Sequence, residues 1–387
     1  MIALMIAPAP QTAGRPAPGI ESAAGSIRVL LQRADPGSRV ELLSSRPTHA
    51  VGCFEGRSAV QAVAGLPRLF GVCVRAHQAA AAAALGIASP AGRAELRAEN
   101  LREHLLRVYL DWPLLLGRNP QASLPTGLLQ ACADLDADPA AARRLVEEHT
   151  LGMATQAFLD LPDTAALLRW ARAHAAQRPA AAMLLHVARQ PALLPLAEVA
   201  PLGVIDLPRA AQRLDAARAD DFVRQPEIDG ACRQTGAWAR QCGAPLLADL
   251  QARGRPLLAR YAARLRELAQ AIEGGPDARD DPWYGLLRSA PGIACVETSR
   301  GSLLHRIAMA PDGSVARWRA VAPTEWNFHP RGAAATLLQA IPAPLPTSRR
   351  AELARLAVHA ADPCVSSQCV VDEGEAGGAG APRGGKA

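Results

Sequence analysis

The chain has 387 residues, 49% apolar and 20% charged, enough for one large domain or two medium ones around a substantial core. Its formal charge is +6, yet the arginines alternate with acids along stretches such as "RYAARLRELAQAIE", which reads as a solvated arginine-rich surface and argues against a nucleic-acid interface. No run reaches the ~18–20 apolar residues of a membrane helix. The opening "MIALMIAPAPQTAG" lacks the basic segment of a signal peptide, so the expected location is the cytoplasm.

Residues 1–19, rich in Pro and Ala, read as a flexible lead. "SIRVLLQ" and "SRVELL", split by "RADPG", predict a β-hairpin. Helical spacing follows in "QAAAAAAL" and "RAELRAENLREHLLRVYLDW", with Pro113 as the expected stop. Further helices are expected near 139–149, 163–177 and 208–220, and a long one over 245–273. "SLLHRIAM" and "SVARWRAV" flank the turn signal "APDG" and predict a second hairpin. "PTEWNFHPRG" reads as a shaped loop. A helix near 347–361 stops at Asp362-Pro363. The segment 372–387 reads as a disordered Gly-rich tail. The fold class is mainly α with small β-hairpins (α+β), with residues 20–371 as a single domain.

Eight cysteines are too sparse for a disulfide scaffold. Cys53, Cys132, Cys232, Cys242 and Cys295 are expected to be buried small hydrophobes. Cys73, in "PRLFGVCVRAH", precedes the alanine-rich helix, where unpaired N–H groups and the helix dipole favour a thiolate. Structural roles for Cys73 and for His77 four residues on stay open at this point. "DPCVSSQC" places Cys364 and Cys369 five residues apart after Asp362-Pro363.

Taken in order, these pieces resemble the large subunit of nickel–iron hydrogenases from about residue 20 onward. "EGRSAVQAVAGLPRLFGVCVRAH" is similar to that family's Glu-Gly-Arg segment, its first Arg-x-Cys-Gly-x-Cys motif and the His after it. "RGSLLHRI" and "APTEWNFHPRG" are similar to its Arg-Gly-x-Leu-x-His and Pro-Thr-x-Trp-Asn-x-x-Pro-Arg segments. "DPCVSSQC" resembles its C-terminal Asp-Pro-Cys-x-x-Cys-x-x-His. The resemblance implies the large-subunit fold. It also implies a metal pocket in which Arg300 stands over the metal, Asp362 holds that arginine from below, and Glu103 and His104 line the wall.

The departures bear on function. In the enzymes four thiolates hold nickel, and two of the four bridge to an iron carrying cyanide and carbon monoxide. Here Phe70 takes the place of the first cysteine, and Cys73 keeps the second. Cys364 keeps the first position of the last motif, Ser367 occupies the second, and Cys369 lies two residues too far along. The family's terminal histidine, where a tail is cut away, is missing from "CVVDEGE". Glu21 keeps the glutamate of the family's opening motif without its Gly-His. A phenyl ring and a hydroxyl cannot replace two thiolates, so nickel is not expected. Iron already carrying three diatomic ligands needs only two or three more, and Cys73 with Cys364, or Cys369 as a third, supplies them.

This combination resembles the accessory family called HupK, or HoxV in some operons. It implies a non-catalytic scaffold that transiently holds an Fe(CN)2CO fragment, with maturation proteins of the HypC/HypD type and the apo large subunit as partners. A catalytic subunit with an altered metal site and a metal-free chaperone are the two competing readings.

Overall fold

The alternating pattern after the lead forms the expected antiparallel hairpin, β1 (Ser26–Arg33) with β2 (Ser38–Ser44), which buries Ile27, Val29 and Leu31 on one face. The computed structural model describes residues 24–34, 37–120, 124–195, 197–274 and 286–372. The 1–19 lead, Glu21, the Asp35-Pro36 turn and the tail after Asp372 lie outside the described residues.

Pro113 does not end the helical path that begins with α3 (Arg93–Leu106). A π-helical turn over Arg107–Asp111 leads into a last turn, Trp112–Leu115, where Pro113 sits near the start and its missing N–H is not needed. The 245–273 stretch is two helices, Pro245–Ala252 and Pro256–Glu273, because Gly254 turns left-handed (φ 66°) and Pro256 restarts the chain. The 208–220 stretch is likewise split, into Leu207–Asp215 and Ala219–Arg224. Helices Pro139–Leu145, Thr164–His174 and Thr347–Ala361 fall where expected.

Two helices frame the site. α1 (Ala59–Leu69) starts on a reciprocal cap between Ser58 and Gln61. α2 (Val74–Leu85) is the alanine-rich helix, and its Ala79–Ala82 and Ala84 are buried. Methyl side chains let its backbone lie close against the C-terminal sheet.

A two-residue ladder pairs β3 (Ala200–Pro201) with β4 (Arg233–Gln234). The expected second hairpin is part of a larger antiparallel sheet in the order β5 (Leu286–Ala290), β6 (Ile293–Thr298), β7 (Gly301–Met309), β8 (Val315–Val321). "PTEWNFHPRG" is not all loop, since Pro323–Asn327 forms a short helix. The largest departure is at the end: β9 (Ser366–Val371) runs parallel to β1, with Ser367 opposite Ile27 and Cys369 opposite Val29. The C-terminal cysteine segment is thereby fastened to the start of the described chain.

The stretch "RYAARLRELAQAIE", read from sequence as a solvated face, is instead buried. Arg264, Arg266 and Glu267 are inside, each with partners that compensate lost hydration: Arg264 with Asp362, Arg266 with the Leu159 carbonyl at 2.6 Å, and Glu267 with Arg240 at 2.7 Å. No helix among the described residues is long and apolar enough to cross a membrane.

Candidate metal-binding site

The site is built where the start of α2, the β6–β7 turn and the end of helix Thr347–Ala361 meet. The turn carries Arg300. Thr298 and Gly301 pair across it, and the Thr298 hydroxyl donates to the Gly301 carbonyl (2.8 Å) while accepting from the N–H of Arg300 (3.1 Å). Asn100 of α3 pins the same turn, accepting from the Ser299 N–H at 2.7 Å. Gly301 has φ 130°, and a Cβ there would lie 2.4 Å from the Thr235 side chain. Gly301→Ala is therefore expected to cost about 3 kcal/mol, from strained backbone plus overpacking, and to displace Arg300. Denaturant midpoints against wild type check it.

Arg300 reaches both motifs. Its Nη1 lies 3.5 Å from Cys73 Sγ, its Nη2 donates to Glu103 Oε2 at 2.9 Å, and its Nε is 3.8 Å from Asp362 Oδ1. Asp362 is held more tightly by two other arginines, Arg264 through Oδ2 at 2.5 Å and Arg107 through Oδ1 at 2.8 Å. Burial alone would raise the Asp362 carboxyl, but the guanidiniums of Arg264, Arg107 and Arg300 override it and hold the group well below the usual carboxylate range. Asp362 thus organises three arginines, of which the sequence indicated one.

Cys364 follows Asp362-Pro363 and is gripped from the other side. Its N–H donates to the Thr324 hydroxyl (3.1 Å), which donates back to Cys364 Sγ (3.1 Å). Arg46, just after β2, donates from Nη1 to the same sulfur and pairs through Nε with Glu325 at 2.6 Å. Cys73 and Cys364 are 291 positions apart in sequence, and Arg300 links their motifs, 3.5 Å from Cys73 Sγ and 3.8 Å from Asp362, two residues before Cys364.

The expectation that the helix terminus favours a Cys73 thiolate is not met. Glu99 accepts from the Arg75 and Ala76 N–H groups at 2.9 and 3.0 Å, so a carboxylate already holds the first amides of α2. Burial pushes the Cys73 thiol up to about 12 against the pull of Arg300, and Glu99 and Glu103 push the same way. Cys73 also has a left-handed backbone (φ 55°), as does Asp362 (φ 56°). Such strain in a residue bearing a Cβ persists only where the surroundings enforce it.

The other expected residues divide. Glu103 joins Arg300, as described. His104, next to it, points the other way: its Nδ1 accepts from Arg264 at 3.0 Å and its Nε2 faces Glu267 at 3.0 Å. Ser367 and Cys369 leave along β9, which at ~3.3 Å per residue carries Cys369 about 10 Å beyond Ser366. There burial raises its thiol to about 12, beside Arg355. Cys369 is therefore not placed as a third ligand. Of the five cysteines expected to be buried hydrophobes, Cys132 and Cys295 are buried, Cys232 and Cys242 are half-buried, and Cys53 is exposed.

Phe70, where the first cysteine of the enzymes would stand, stacks on His77 with ring centroids 3.5 Å apart and planes within 7°. His77 continues a buried chain. The Trp318 indole N–H donates to His305 Nδ1 (2.9 Å), so His305 Nε2 carries the proton and donates to His77 Nδ1 (2.9 Å). Burial holds both imidazoles neutral, His305 down to about 3 and His77 well below its usual value, while His359 falls to about 4. Their folded values lie below the ordinary ~6.5, so their stabilising contribution is complete above pH ~6.5 and is lost as pH falls from there toward about 4. Denaturant unfolding across that window is expected to show stability falling with acid. A flat profile down to pH ~4.5 would contradict it.

The donors fit a small anionic metal fragment. Two thiols offer soft ligands, and the Ser299 hydroxyl next to Arg300 is buried with no hydrogen-bond partner, which leaves a donor for a cyanide-type acceptor. Sequence reasoning missed Arg46, Arg107, Arg264, Thr324 and Glu325. Only Thr324 and Glu325 had a signal, inside the quoted "PTEW" segment.

Residues 256–371 match the model of the nickel-dependent hydrogenase family. The chain is 34% identical over 361 residues to the hydrogenase expression/formation protein HoxV of Cupriavidus necator, covering 85% of this chain and 92% of that protein. It is 30% identical to the hydrogenase expression/formation protein HupK of Rhizobium leguminosarum bv. viciae, covering 86% and 93%. Among solved structures, the reduced, active Ni-Fe-Se hydrogenase of Desulfomicrobium baculatum matches with a TM-score of 0.51 at 16% identity, over 86% of this chain and 95% of that one. The fold is that of a hydrogenase large subunit, and the chain belongs to the HoxV/HupK family of hydrogenase expression/formation proteins.

Proposed function

We propose that the chain acts in hydrogenase maturation as a non-catalytic scaffold that holds an Fe(CN)2CO fragment between Cys73 and Cys364 before transfer to the apo large subunit. The observation that supports this reading is that Arg300 lies 3.5 Å from Cys73 Sγ and 3.8 Å from Asp362, two residues before Cys364, so that one arginine spans both motifs, while Phe70 is stacked on His77 and Ser367 lies in a strand. Two thiolates suit a preformed iron unit and fall short of a four-thiolate nickel–iron centre. Arg300, Arg46 and the Thr324 hydroxyl offset the thiolate charge, and the unpartnered Ser299 hydroxyl suits cyanide. Nickel is not part of the proposal. The chain's own residues bind and orient the fragment, and proteins of the HypC/HypD type would deliver it.

Infrared spectroscopy of the full chain co-produced with the maturation proteins tests this. Cyanide and carbon monoxide stretches are expected, and their absence would sink the carrier role. A second reading, a metal-free chaperone that imitates the large subunit to engage partners, is favoured by one observation: Glu99 takes the first amides of α2, so the helix terminus is not left to stabilise a Cys73 thiolate. On that reading Cys73→Ala and Cys364→Ala leave hydrogenase formation intact.

A further inference from the structure

A tight turn at Asp229-Gly230 assembles a second group of ligand-type side chains. Ile228 and Ala231 exchange both backbone hydrogen bonds, at 2.9 and 3.0 Å, and the two residues between them have φ of 52° and 76°. Two consecutive left-handed residues mark a type I′ turn, for which Asp-Gly is a favoured pair. The next pair outward is Glu227 and Cys232, which makes them cross-strand neighbours on one face. His329, from the segment after Pro323–Asn327, closes over them. Its Nδ1 is 3.0 Å from Cys232 Sγ and its Nε2 is 3.1 Å from Glu227 Oε1. One donor atom from each of the three lies within 4.8 Å of the others. The ring is buried and braced by the Arg331 N–H on Nδ1 (3.1 Å), whereas Cys232 and Glu227 are half-exposed and open a path from solvent.

We propose that Glu227, Cys232 and His329 form a second metal site, separate from Cys73 and Cys364, for a late first-row divalent cation such as Zn(II), Co(II) or Ni(II). A thiolate, an imidazole and a carboxylate form a mixed S/N/O set that suits these ions, whereas Mg(II) and Ca(II) require oxygen ligands. Three protein ligands leave the fourth tetrahedral position to water or an incoming ligand, the layout of an open site. Binding forms a metal–sulfur bond and releases the Cys232 proton to solvent. Because sulfur and carboxylate now face different ring nitrogens, the imidazole must rotate on binding so that one nitrogen points between them, giving up the Arg331 N–H on Nδ1 or the contact of Nε2 with Glu227. Arg331 is the built-in competitor: its guanidinium pairs with Glu227, but its side chain is 65% exposed and free to swing away. The segment also carries Thr324, which holds Cys364, so the two sites share one stretch of chain.

Cobalt titration of the chelator-treated full-length protein tests the proposal, with Cys73→Ala/Cys364→Ala as a second host. One equivalent of Co(II) is expected to bind in both, giving a thiolate-to-cobalt charge-transfer band and the visible spectrum of a four-coordinate ion. Cys232→Ser is expected to abolish the charge-transfer band. Glu227→Gln, which keeps the side chain's shape, is expected to weaken binding by about 10-fold or more. Arg331→Ala is expected to tighten it, a sign that a purely structural role for the cluster would not give. Zn(II) is also expected to protect Cys232 from iodoacetamide. Absence of the band from folded wild type, its persistence in Cys232→Ser, or alkylation of Cys232 unchanged by Zn(II) would overturn the metal site. The last result would leave a thiol–imidazole–carboxylate relay as the use of this geometry. None of these outcomes depends on whether iron is held at Cys73 and Cys364.

Discussion

Asp362→Ala is expected to destabilise the protein by roughly 3–5 kcal/mol, the effect of removing one partner from a buried ion cluster. The reason lies in the count of charges left behind. Arg264, Arg107 and Arg300 all face this carboxylate, and all three are buried. Without it three guanidiniums share a low-dielectric space, and His104, which accepts from Arg264, loses its fixed neighbour. Asp362→Asn keeps the shape and two acceptor lone pairs, so it is expected to fall between wild type and alanine. The Asp362 carboxyl is held below its ordinary value, so its contribution is complete above pH ~4 and is lost only as pH falls further, through the folded-state value. The acid limb from the buried histidines, beginning near pH 6.5, is therefore expected to persist in Asp362→Asn. Denaturant midpoints for the three proteins at pH 7 and pH 5 check both statements.

The second large effect concerns iron. Cys73→Ala and Cys364→Ala are each expected to abolish retention of the iron fragment, because one thiolate cannot hold what two share, while Cys369→Ala is expected to leave it unchanged. The asymmetry follows from position: Cys73 lies against Arg300 and Cys364 follows two residues after Asp362, which the same arginine faces, whereas Cys369 is carried away along β9. Iron content of the purified variants, alongside far-ultraviolet circular dichroism to confirm folding, measures it. Equal iron in Cys73→Ala and wild type would contradict Cys73 as a ligand, and wild type without iron would favour the metal-free chaperone.

Much of this was legible in the sequence where local rules and motif order coincide. The β1–β2 and β7–β8 hairpins follow from alternation and a turn, and Cys73, Arg300, Asp362 and Cys364 follow from ordered motifs. The rest depends on contacts that no local pattern encodes. Arg264 reads as one more arginine on an amphipathic helix, and its burial rests on Asp362, 98 positions away, and His104, 160 positions away. Glu99 looks like a surface acid of α3, yet it occupies the amides that were expected to activate Cys73. Cys232 had no partner within cysteine spacing because its partners are a glutamate across a turn and a histidine nearly a hundred residues on. The parallel pairing of β9 with β1 joins opposite ends of the chain, and it decides that Ser367 and Cys369 belong to a sheet.

X-ray absorption at the iron edge, on full-length protein purified after co-production with the maturation proteins, tests the central claim most directly. Two sulfur scatterers at about 2.3 Å from iron are expected, falling to one or to no bound iron in Cys364→Ala. Iron with no sulfur neighbour, or with the same two in the Cys73→Ala/Cys364→Ala protein, would contradict it.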